Sequence, residues 1–451
     1  MMNSSKLLLQ LRIWLRWLVL HGAAGVMLRR QARRGDPFAA VLVGPNRSAD
    51  PYPDMERIRR RGRIVRTPLL NVSVDHEVCR TILRDKRFGT TSPTDMNLPR
   101  PVRWTLERTK GVPNPTDPPA MIGSNPPEHG RIRRHVVAAL TARAMADLTD
   151  CITDVTGQLL DELESQSHAE MIGDFAARLP VAVIARLLGV PPQDEPRMLE
   201  WGDKAAALFD IGVGHASYRR GVEGLSEARE YLGEHVDKLR VQPGSSVFGH
   251  IVANSDLNRF ELLATAANLM GAGFETTMNM LGNGIVLLLR HPEQLALLRS
   301  DPSLWPSAVE EILRLESAVQ LTLRTAHEDV EIAGHTLRAA EVIVLLLGGA
   351  NRDPRLFTEP GRFDITRENA REHLAFGHGI HVCLGARLSR LEGAIGLRML
   401  FERFPDLTLE GEPESRGYVV LRGFGRVPVR LGPVAQGSHA TTDPRIALPI
   451  P

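Results

Sequence analysis

Residues 376–385 read FGHGIHVCLG, and they lead directly into a long amphipathic segment. Beyond Cys383, apolar residues recur every three or four positions, which predicts a helix with one buried face. Cys383 is therefore expected near a helix N-terminus, where free N–H groups and the helix dipole favour the thiolate and lower the thiol pKa. Gly377, Gly379 and Gly385 would let the backbone approach the sulfur or a planar ligand closely. The stretch predicts a cysteine that binds a metal.

Two other interpretations of this loop stay open on the residues alone. His373, His378 and His381 could join Cys383 in a zinc site, or the cysteine could be a buried residue at the start of a helix. Zinc sites usually take paired cysteines or histidines from two places in the chain, and this sequence shows one such cluster without a second pair. The spacing therefore argues against zinc.

Residues 260–290 form a second informative segment, long enough for a helix of about 45 Å that crosses a whole domain. Its middle, residues 271–277, reads GAGFETT. Each glycine costs about 1 kcal/mol relative to alanine inside a helix, so the backbone there must be opened or closely approached. Glu275 beside Thr276 suits a proton relay, although a structural acid beside a threonine bonded back to its own helix is an equal alternative.

Both segments resemble signatures of the cytochrome P450 family. Phe376, Gly379, Cys383 and Gly385 occupy the fixed positions of the haem-ligand motif F-x-x-G-x-x-x-C-x-G. The oxygen-activation motif A-G-x-[DE]-T is matched in order at four positions of the long segment: Ala272, Gly273, Glu275 and Thr276. The resemblance implies haem b with Cys383 as its metal ligand, and Glu275 and Thr276 as catalytic residues.

Two weaker patterns gain meaning from the same resemblance. Glu311 and Arg314, three apart on a predicted helix, would otherwise be a surface ion pair. They match the family's E-x-x-R motif, and Arg362 in the segment Pro-Gly-Arg-Phe matches its third partner, which implies a buried ion network bracing the haem loop. The family's positions for binding the haem propionates are occupied by His129, Arg133, Arg324 and His381.

Composition limits the function classes. The chain has 451 residues, 43% hydrophobic and 24% charged, with a formal net charge of +2. Residues 1–35 carry seven basic residues and no acid, which leaves the rest mildly acidic and argues against nucleic-acid binding. Three scattered cysteines do not form a disulfide framework, so a reducing, cytoplasmic location is expected.

The N-terminal region allows two interpretations. Residues 7–20 are apolar apart from Gln10, Arg12 and Arg16, and on a helix both arginines would lie opposite Trp14. The run is expected to be too short and too interrupted to span a bilayer. It is either an interfacial anchor that gives peripheral contact with a membrane, or a helix packed on the domain. We expect a basic amphipathic extension over 1–35, a catalytic domain over 36–433 and a disordered tail over 434–451.

The patterns together predict a mainly α protein with a minor β region. Residues 61–83 predict a small hairpin, residues 330–332, 342–346, 418–421 and 427–431 predict strands, and the proline-rich stretch 92–127 predicts an irregular loop. The resemblance implies the P450 fold, a triangular helical prism with haem between the central helix and the cysteine loop. It also implies a soluble, bacterial-type monooxygenase that acts on an apolar organic substrate with O2 and takes electrons from a ferredoxin and its reductase. A haem-thiolate sensor and a peroxide-driven enzyme are the alternatives.

Overall fold

A computed structural model describes residues 4–44, 50–68, 70–91 and 98–435. Its α-helices are α1 (Ser4–Trp17), α2 (Ala24–Arg33), α3 (Pro37–Val43), α4 (Tyr52–Arg59), α5 (His76–Arg84), α6 (Arg100–Arg108), α7 (Glu128–Ala139), α8 (Ala142–Leu163), α9 (Arg178–Leu188), α10 (Glu195–Ala206), α11 (His215–Val241), α12 (Val247–Asn254), α13 (Arg259–Arg290), α14 (Pro292–Ser300), α15 (Trp305–Leu315), α16 (Leu347–Ala350) and α17 (Ala386–Arg403). Its strands are β1 (Val65–Arg66), β2 (Asn71–Ser73), β3 (Phe88–Thr90), β4 (His168–Glu170), β5 (Thr322–Ala326), β6 (Val330–Ile332), β7 (His335–Leu337), β8 (Val342–Leu345), β9 (Thr408–Leu409), β10 (Glu414–Ser415), β11 (Phe424–Arg426) and β12 (Pro428–Arg430). The mainly α class with a minor β region is confirmed.

The long helix α13 runs through the middle of the molecule. It spans 32 residues, or about 48 Å, and begins within one residue of the predicted boundary. Asn258 and Glu261 form a capping box at its start, and His291 closes it just before Pro292. The helix packs against α9, α10, α11, α15 and α17. Its buried side chains belong to the largest apolar core, so this helix organises the α-helical part of the fold.

The largest sheet that the structure describes is a mixed sheet of five strands. Among the described residues its strand order is β1-β2-β8-β5-β3, with β2 and β8 parallel and the other pairs antiparallel. The hairpin predicted over 61–83 is confirmed only for β1 and β2, because α5 occupies its last part, and the predicted strand at 342–346 corresponds to β8. The expected strand at 418–421 is wrong. There, Leu421 makes one isolated bridge to Val319. The strands on either side of this segment pair instead, β10 with β11, and β12 with β4 and β9.

The prediction of an irregular loop over the proline-rich stretch 92–127 is partly wrong. It contains α6, whose first turn follows Pro99 and includes Pro101. Proline is compatible with the first turn of a helix because the N–H groups there have no partner within the helix. Residues 92–97 lie outside the described part of the chain.

The N-terminal segment is one continuous helical rod in which a π-helical turn, Leu18–Ala23, joins α1 to α2. Arg16 is buried and donates a hydrogen bond to the Thr109 carbonyl oxygen at 3.1 Å. Trp17 donates from Nε1 to the Val213 carbonyl oxygen at 2.9 Å. Ile13 is buried in a small apolar cluster between these contacts. The rod therefore packs on the domain through one face.

The opposite face of this rod is apolar and open to solvent. Leu7, Leu11 and Trp14, at spacings of four and three, share that face and are exposed. The expectation that Arg12 and Arg16 share one polar face of this helix is thus partly wrong, because Arg16 faces the protein. Residues Leu7–Arg33 are long and apolar enough by composition to cross a membrane, which corrects the expectation of a run that is too short. At the other end, Ala435 donates to the Arg403 carbonyl oxygen at 3.1 Å, and the rest of the predicted tail lies outside the described residues.

Candidate active site

The cysteine loop lies directly before α17, as the sequence predicts. The Cys383 amide donates to the Phe376 carbonyl oxygen at 2.9 Å and closes the loop. Gly377 and Gly379 have φ values of +66° and +70°, in the left-handed region that glycine adopts without strain. A Cβ on Gly379 would also collide with the Leu83 carbonyl oxygen, so this position requires glycine.

The Cys383 side chain is open to the space beside the loop, yet most of its surroundings are protein. Burial raises the pKa of the thiol, although backbone N–H groups of Gly385 and Ala386 and the nearby charges of Arg133 and Arg390 oppose this effect. The expected lowering of the thiol pKa is therefore wrong for the protein alone, because desolvation outweighs the helix terminus. A metal ion deprotonates a coordinating thiol outright, so the site remains suited to a thiolate ligand.

The motif segment of α13 lies next to α17. Thr277 Oγ1 is 3.4 Å from Ser389 Oγ, which joins the two helices one turn beyond the cysteine loop. The Thr276 hydroxyl donates to the Ala272 carbonyl oxygen at 2.9 Å. Ala272 is exposed, although most residues of the helix beyond Gly273 are buried, so this turn faces open space within the molecule.

The two glycines of this turn differ in what a side chain at their position would contact. A Cβ on Gly273 would come within 2.5 Å of the Ile184 side chain, so the residue allows α9 to pack closely on α13. A Cβ on Gly271 would meet nothing within 4 Å. Gly271, Ala272 and Glu275 line one cavity, which places part of the motif at a binding space.

Glu275 is buried, and its Oε1 forms an ion pair with Arg416 from the loop between β10 and β11. Arg416 also binds Asp203 of α10, with Nη2 at 2.7 Å from Oδ1. Burial raises the pKa of Glu275 above its ordinary value, while the charge of Arg416 opposes the increase. Sequence reasoning missed Arg416, since nothing in its spacing links it to Glu275.

The four residues expected to hold propionates converge beside the cysteine loop. The rings of His129 and His381 are 4.0 Å apart, and Arg133 donates to the Val382 carbonyl oxygen at 2.7 Å. Arg324 on β5 is buried, and burial lowers its pKa to about 10. Its Nη1 donates to the Thr322 hydroxyl and the Leu323 carbonyl oxygen. Burial and the charges of His129, Arg324 and Arg133 lower the pKa of His381, which places the four residues together. Such a cluster fits a ligand with two carboxylates, as haem b has.

In the ion network under the loop, Glu311 and Arg314 form a buried pair. The expectation that the Arg362 side chain is their third partner is wrong. Glu311 and Arg314 are fully buried and bonded at 2.7 and 2.8 Å. The second cation on Glu311 is Arg367, with Nε at 3.3 Å and the side chain 8% exposed. Arg362 is 60% exposed and pairs with Glu359, because its side chain points outward while its carbonyl oxygen accepts from Arg314.

A second network was not anticipated. Glu310 accepts from Arg390 Nε on α17 at 2.7 Å and lies 3.0 Å from His373 Nε2. Burial opposes ionisation of Glu310, but His373 and Arg390 outweigh it and hold its pKa at about 2. His373 is thus engaged with a carboxylate. No group of three potential metal-ligating side chains occurs in the part of the chain that the structure describes, so zinc binding has no support.

Comparisons with known proteins agree with this geometry. The profile of the family "Cytochrome P450" matches residues 303–417. "Putative cytochrome P450 140" of Mycobacterium tuberculosis is 42% identical over 428 residues, covering 93% of this chain and 98% of that protein. "Vitamin D(3) 25-hydroxylase" of Pseudonocardia autotrophica is 39% identical over 349 residues, covering 75% of this chain and 85% of that protein.

Among solved structures, P450BioI in complex with hexadec-9Z-enoic acid ligated acyl carrier protein superposes with a TM-score of 0.78. It is 35% identical, and the match covers 85% of this chain and 98% of that one. Because relatives this similar extend over nearly the whole chain, and the cysteine loop lies beside the motif turn of α13, the protein belongs to the bacterial cytochrome P450 family and is a haem b monooxygenase.

Proposed function

We propose that this enzyme inserts one oxygen atom of O2 into an apolar organic substrate, using electrons from a ferredoxin and its reductase. The observation that carries the proposal is the acid–alcohol pair, Glu275 and Thr276, on the turn of α13 that is joined to α17 behind Cys383. A sensor does not need proton delivery, and a peroxide-driven enzyme does not need it from the protein. Bound haem supplies the oxidation of an unactivated C–H bond.

The chain's own residues would have distinct roles around that group. Cys383 would hold the haem iron through its thiolate, and a thiolate ligand would favour O–O cleavage by the bound group. His129, Arg133, Arg324 and His381 would hold the two carboxylates. Phe376 and Gly385 would shape the loop, and the small side chain of Ala272 would leave space for the group, whereas Gly273 makes room for Ile184 of α9. The Thr276 hydroxyl would hold a proton at the edge of the site, and the Glu275 carboxyl would supply it.

The cavity beside Glu275 supports an apolar substrate. Most of its lining is small or aliphatic, including Ala120, Ile122, Ala206, Ala264 and Met270. Such a lining binds mainly through removal of apolar surface from water. Two of the relatives agree in kind, since one is a vitamin D3 25-hydroxylase and the other was solved with a fatty acyl chain on an acyl carrier protein.

The surface on the cysteine side supports an acidic electron donor. Ile380 and Val382 of the loop are exposed there, beside Arg133 and Arg134 of α7. An apolar centre with basic residues at its edge suits a small, negatively charged protein. Arg134→Glu should slow reduction by a ferredoxin at low salt, whereas the equally exposed Arg143→Glu, elsewhere on the surface, should not.

The N-terminal rod supports peripheral contact with a membrane. Its exposed face carries Leu7, Leu11 and Trp14, and the segment 1–35 contains seven basic residues and no acid. An apolar face with basic residues binds the surface of an anionic bilayer. The opposite face is bonded to the domain through Arg16 and Trp17, which favours a helix lying on the membrane over one that spans it.

Vesicle binding tests this contact. The full-length protein should sediment with vesicles of phosphatidylcholine and phosphatidylglycerol, and binding should weaken with salt. Leu7→Glu with Leu11→Glu should abolish it, while Val241→Glu with Phe260→Glu, which replaces exposed apolar residues elsewhere, should not. Equal binding by both double variants, or none by the full-length protein at low salt, would exclude the proposed face.

Product formation tests the oxygenase function. Library compounds that shift the Soret band of the haem-loaded protein to the blue would be incubated with NADPH, reductase and ferredoxin. We expect product in that mixture and little with peroxide alone. Product from peroxide alone would identify a peroxide-driven enzyme, and no product from either, for compounds that bind, would favour a sensor.

A further inference from the structure

Three charged residues form a continuous chain from solvent to the cavity. Asp203 on α10 is 80% exposed, whereas the side chains of Arg416 and Glu275 are 8% and 3% exposed. Arg416 binds both carboxylates through different nitrogens, Nη2 to Asp203 and Nη1 to Glu275. The guanidinium therefore connects an exposed acid to a buried one across three elements that are far apart in sequence.

The loop that carries Arg416 is anchored independently of this chain. Its backbone N–H donates to the Gly423 carbonyl oxygen at 3.1 Å, across the β10–β11 turn. Gly423 itself lies against the Asn279 side chain, one turn beyond Glu275 on α13, where a Cβ could not fit. The loop is thus seated on α13 by packing, and the ion pair does not have to hold it there.

Glu275 uses one carboxylate oxygen for Arg416 and leaves the other uncommitted. Its Oε2 is buried and makes no hydrogen bond of ordinary geometry among the residues that the structure describes, although the Asn279 amide lies near enough to favour the carboxylate. Glu275 also lines the cavity together with Ala272, whose carbonyl oxygen accepts from Thr276. A buried carboxylate without its cation would take up a proton, because desolvation disfavours the charged form.

We propose, building on the oxygenase function above, that Arg416 is a positioning residue for proton delivery. It keeps the Glu275 carboxylate ionised and fixed at the edge of the cavity, with Asp203 as the solvent end of the path. The overall reaction takes up two electrons and two protons as R–H and O2 become R–OH and H2O. Each proton would enter from solvent beside Asp203, bind the free oxygen of Glu275 and leave toward Thr276, which returns Glu275 to the anion.

Four groups set the charge around Glu275. Arg416 and the Asn279 amide favour its ionised form, Asp203 opposes it, and Tyr418, which interacts with the Glu275 charge, is neutral near pH 7. Removal of Arg416 leaves burial and Asp203, which raise the pKa of Glu275, opposed only by the Asn279 amide. Arg416→Gln should therefore leave Glu275 protonated at neutral pH.

Infrared spectroscopy of the resting protein tests this without turnover. Arg416→Gln should show a carboxylic acid C=O band at pH 7 that disappears as the pH rises and is absent from the double variant with Glu275→Gln. Arg416→Lys should show a weaker band. The control is Arg426→Gln on the same hairpin, whose arginine forms an exposed pair with Glu414, and it should show no band. A spectrum of Arg416→Gln without the band, in folded protein, would overturn the proposal.

Kinetics give an independent measure. Product formed per NADPH should fall in Arg416→Gln at pH 7 and recover toward high pH, because the ionised fraction of Glu275 increases as the pH rises through its raised pKa. The double variant with Glu275→Gln should be no worse than Glu275→Gln alone. Equal pH profiles for Arg416→Gln and wild type would refute the positioning role while leaving the oxygenase function intact. Absence of product in the wild type would instead refute the function, and the infrared result would still decide the role of Arg416.

Discussion

Arg367 and Arg362 lie five residues apart, and we expect their replacement to affect the stability of the protein differently. Replacing Arg367 by alanine should destabilise the haem-loaded protein clearly, whereas Arg362→Ala should have little effect, although the sequence motif points to Arg362. Arg367 binds the buried Glu311 and donates to the Thr358 carbonyl oxygen at 2.7 Å. Arg362 contacts Glu359 at 3.2 Å on the surface.

The size of the difference follows from burial. Removing one partner of a buried ion pair costs about 3–5 kcal/mol, and since Arg314 would still compensate Glu311, we expect about 3 kcal/mol for Arg367→Ala. An exposed pair contributes about 0–1 kcal/mol. For a chain of this length the unfolding entropy is about 0.9 kcal/mol/K, so the melting temperature should fall by about 3 °C for Arg367→Ala and by less than about 1 °C for Arg362→Ala.

Thermal unfolding followed by circular dichroism, together with the haem content of each purified variant, would measure this difference. Arg367→Ala should also lose part of its haem, because Glu311 and its partners fix the segment that leads into the cysteine loop. A melting temperature for Arg362→Ala that is as low as that of Arg367→Ala would refute the network as we describe it.

Three further predictions concern single side chains. Cys383→His should abolish the strongly red-shifted Soret band of the reduced, CO-bound protein, whereas Cys151→Ser should leave that absorption unchanged. Thr276→Ala should keep haem and substrate but divert electrons to peroxide, which product per NADPH would show, and full coupling would remove Thr276 from proton delivery. Glu310, whose pKa is held at about 2, should contribute stability that is present above about pH 4.5 and lost as the pH falls toward 2. Glu310→Gln should remove about 3 kcal/mol of this acid-sensitive stability, as chemical denaturation at pH 6 and pH 3 would show.

The elements with strong local signals could be predicted from the sequence. Asn258 and Glu261 at one end and His291-Pro292 at the other determine α13 to within one residue. The glycines around Cys383 likewise predicted a tight loop before a helix. Helix α6 was missed because its prolines, which favour a first turn, also occur in irregular loops, and local composition cannot separate the two cases.

The long-range partners could not be predicted in the same way. Arg416 reaches Glu275 from 141 positions away, and Arg367 reaches Glu311 from 56 positions away. Both depend on how a loop returns to a helix, which spacing within either segment does not encode. The N-terminal rod shows that helical spacing alone also does not determine burial. Arg12 and Arg16 lie on the same side of a helical projection, yet only one of them contacts the domain. Arg16 is buried, whereas Arg12 is exposed.

Glu310 and Glu311 explain how an irregular segment can hold Cys383, the proposed metal ligand, rigidly. Between α16 and α17 the chain runs through residues 351–385 with short 3-10 turns and little other regular structure. Successive residues on a helix point about 100° apart, so the two neighbouring carboxylates of α15 face different parts of that segment. Glu311 fixes its first half through Arg367 and the Asp364 amide, and Glu310 fixes its second half through His373 and the first turns of α17 through Arg390. One helix turn thus braces both approaches to Cys383. If this is correct, Glu310→Gln and Arg367→Ala, whose sites share α15 as a support, should lower haem retention more together than the sum of their separate effects.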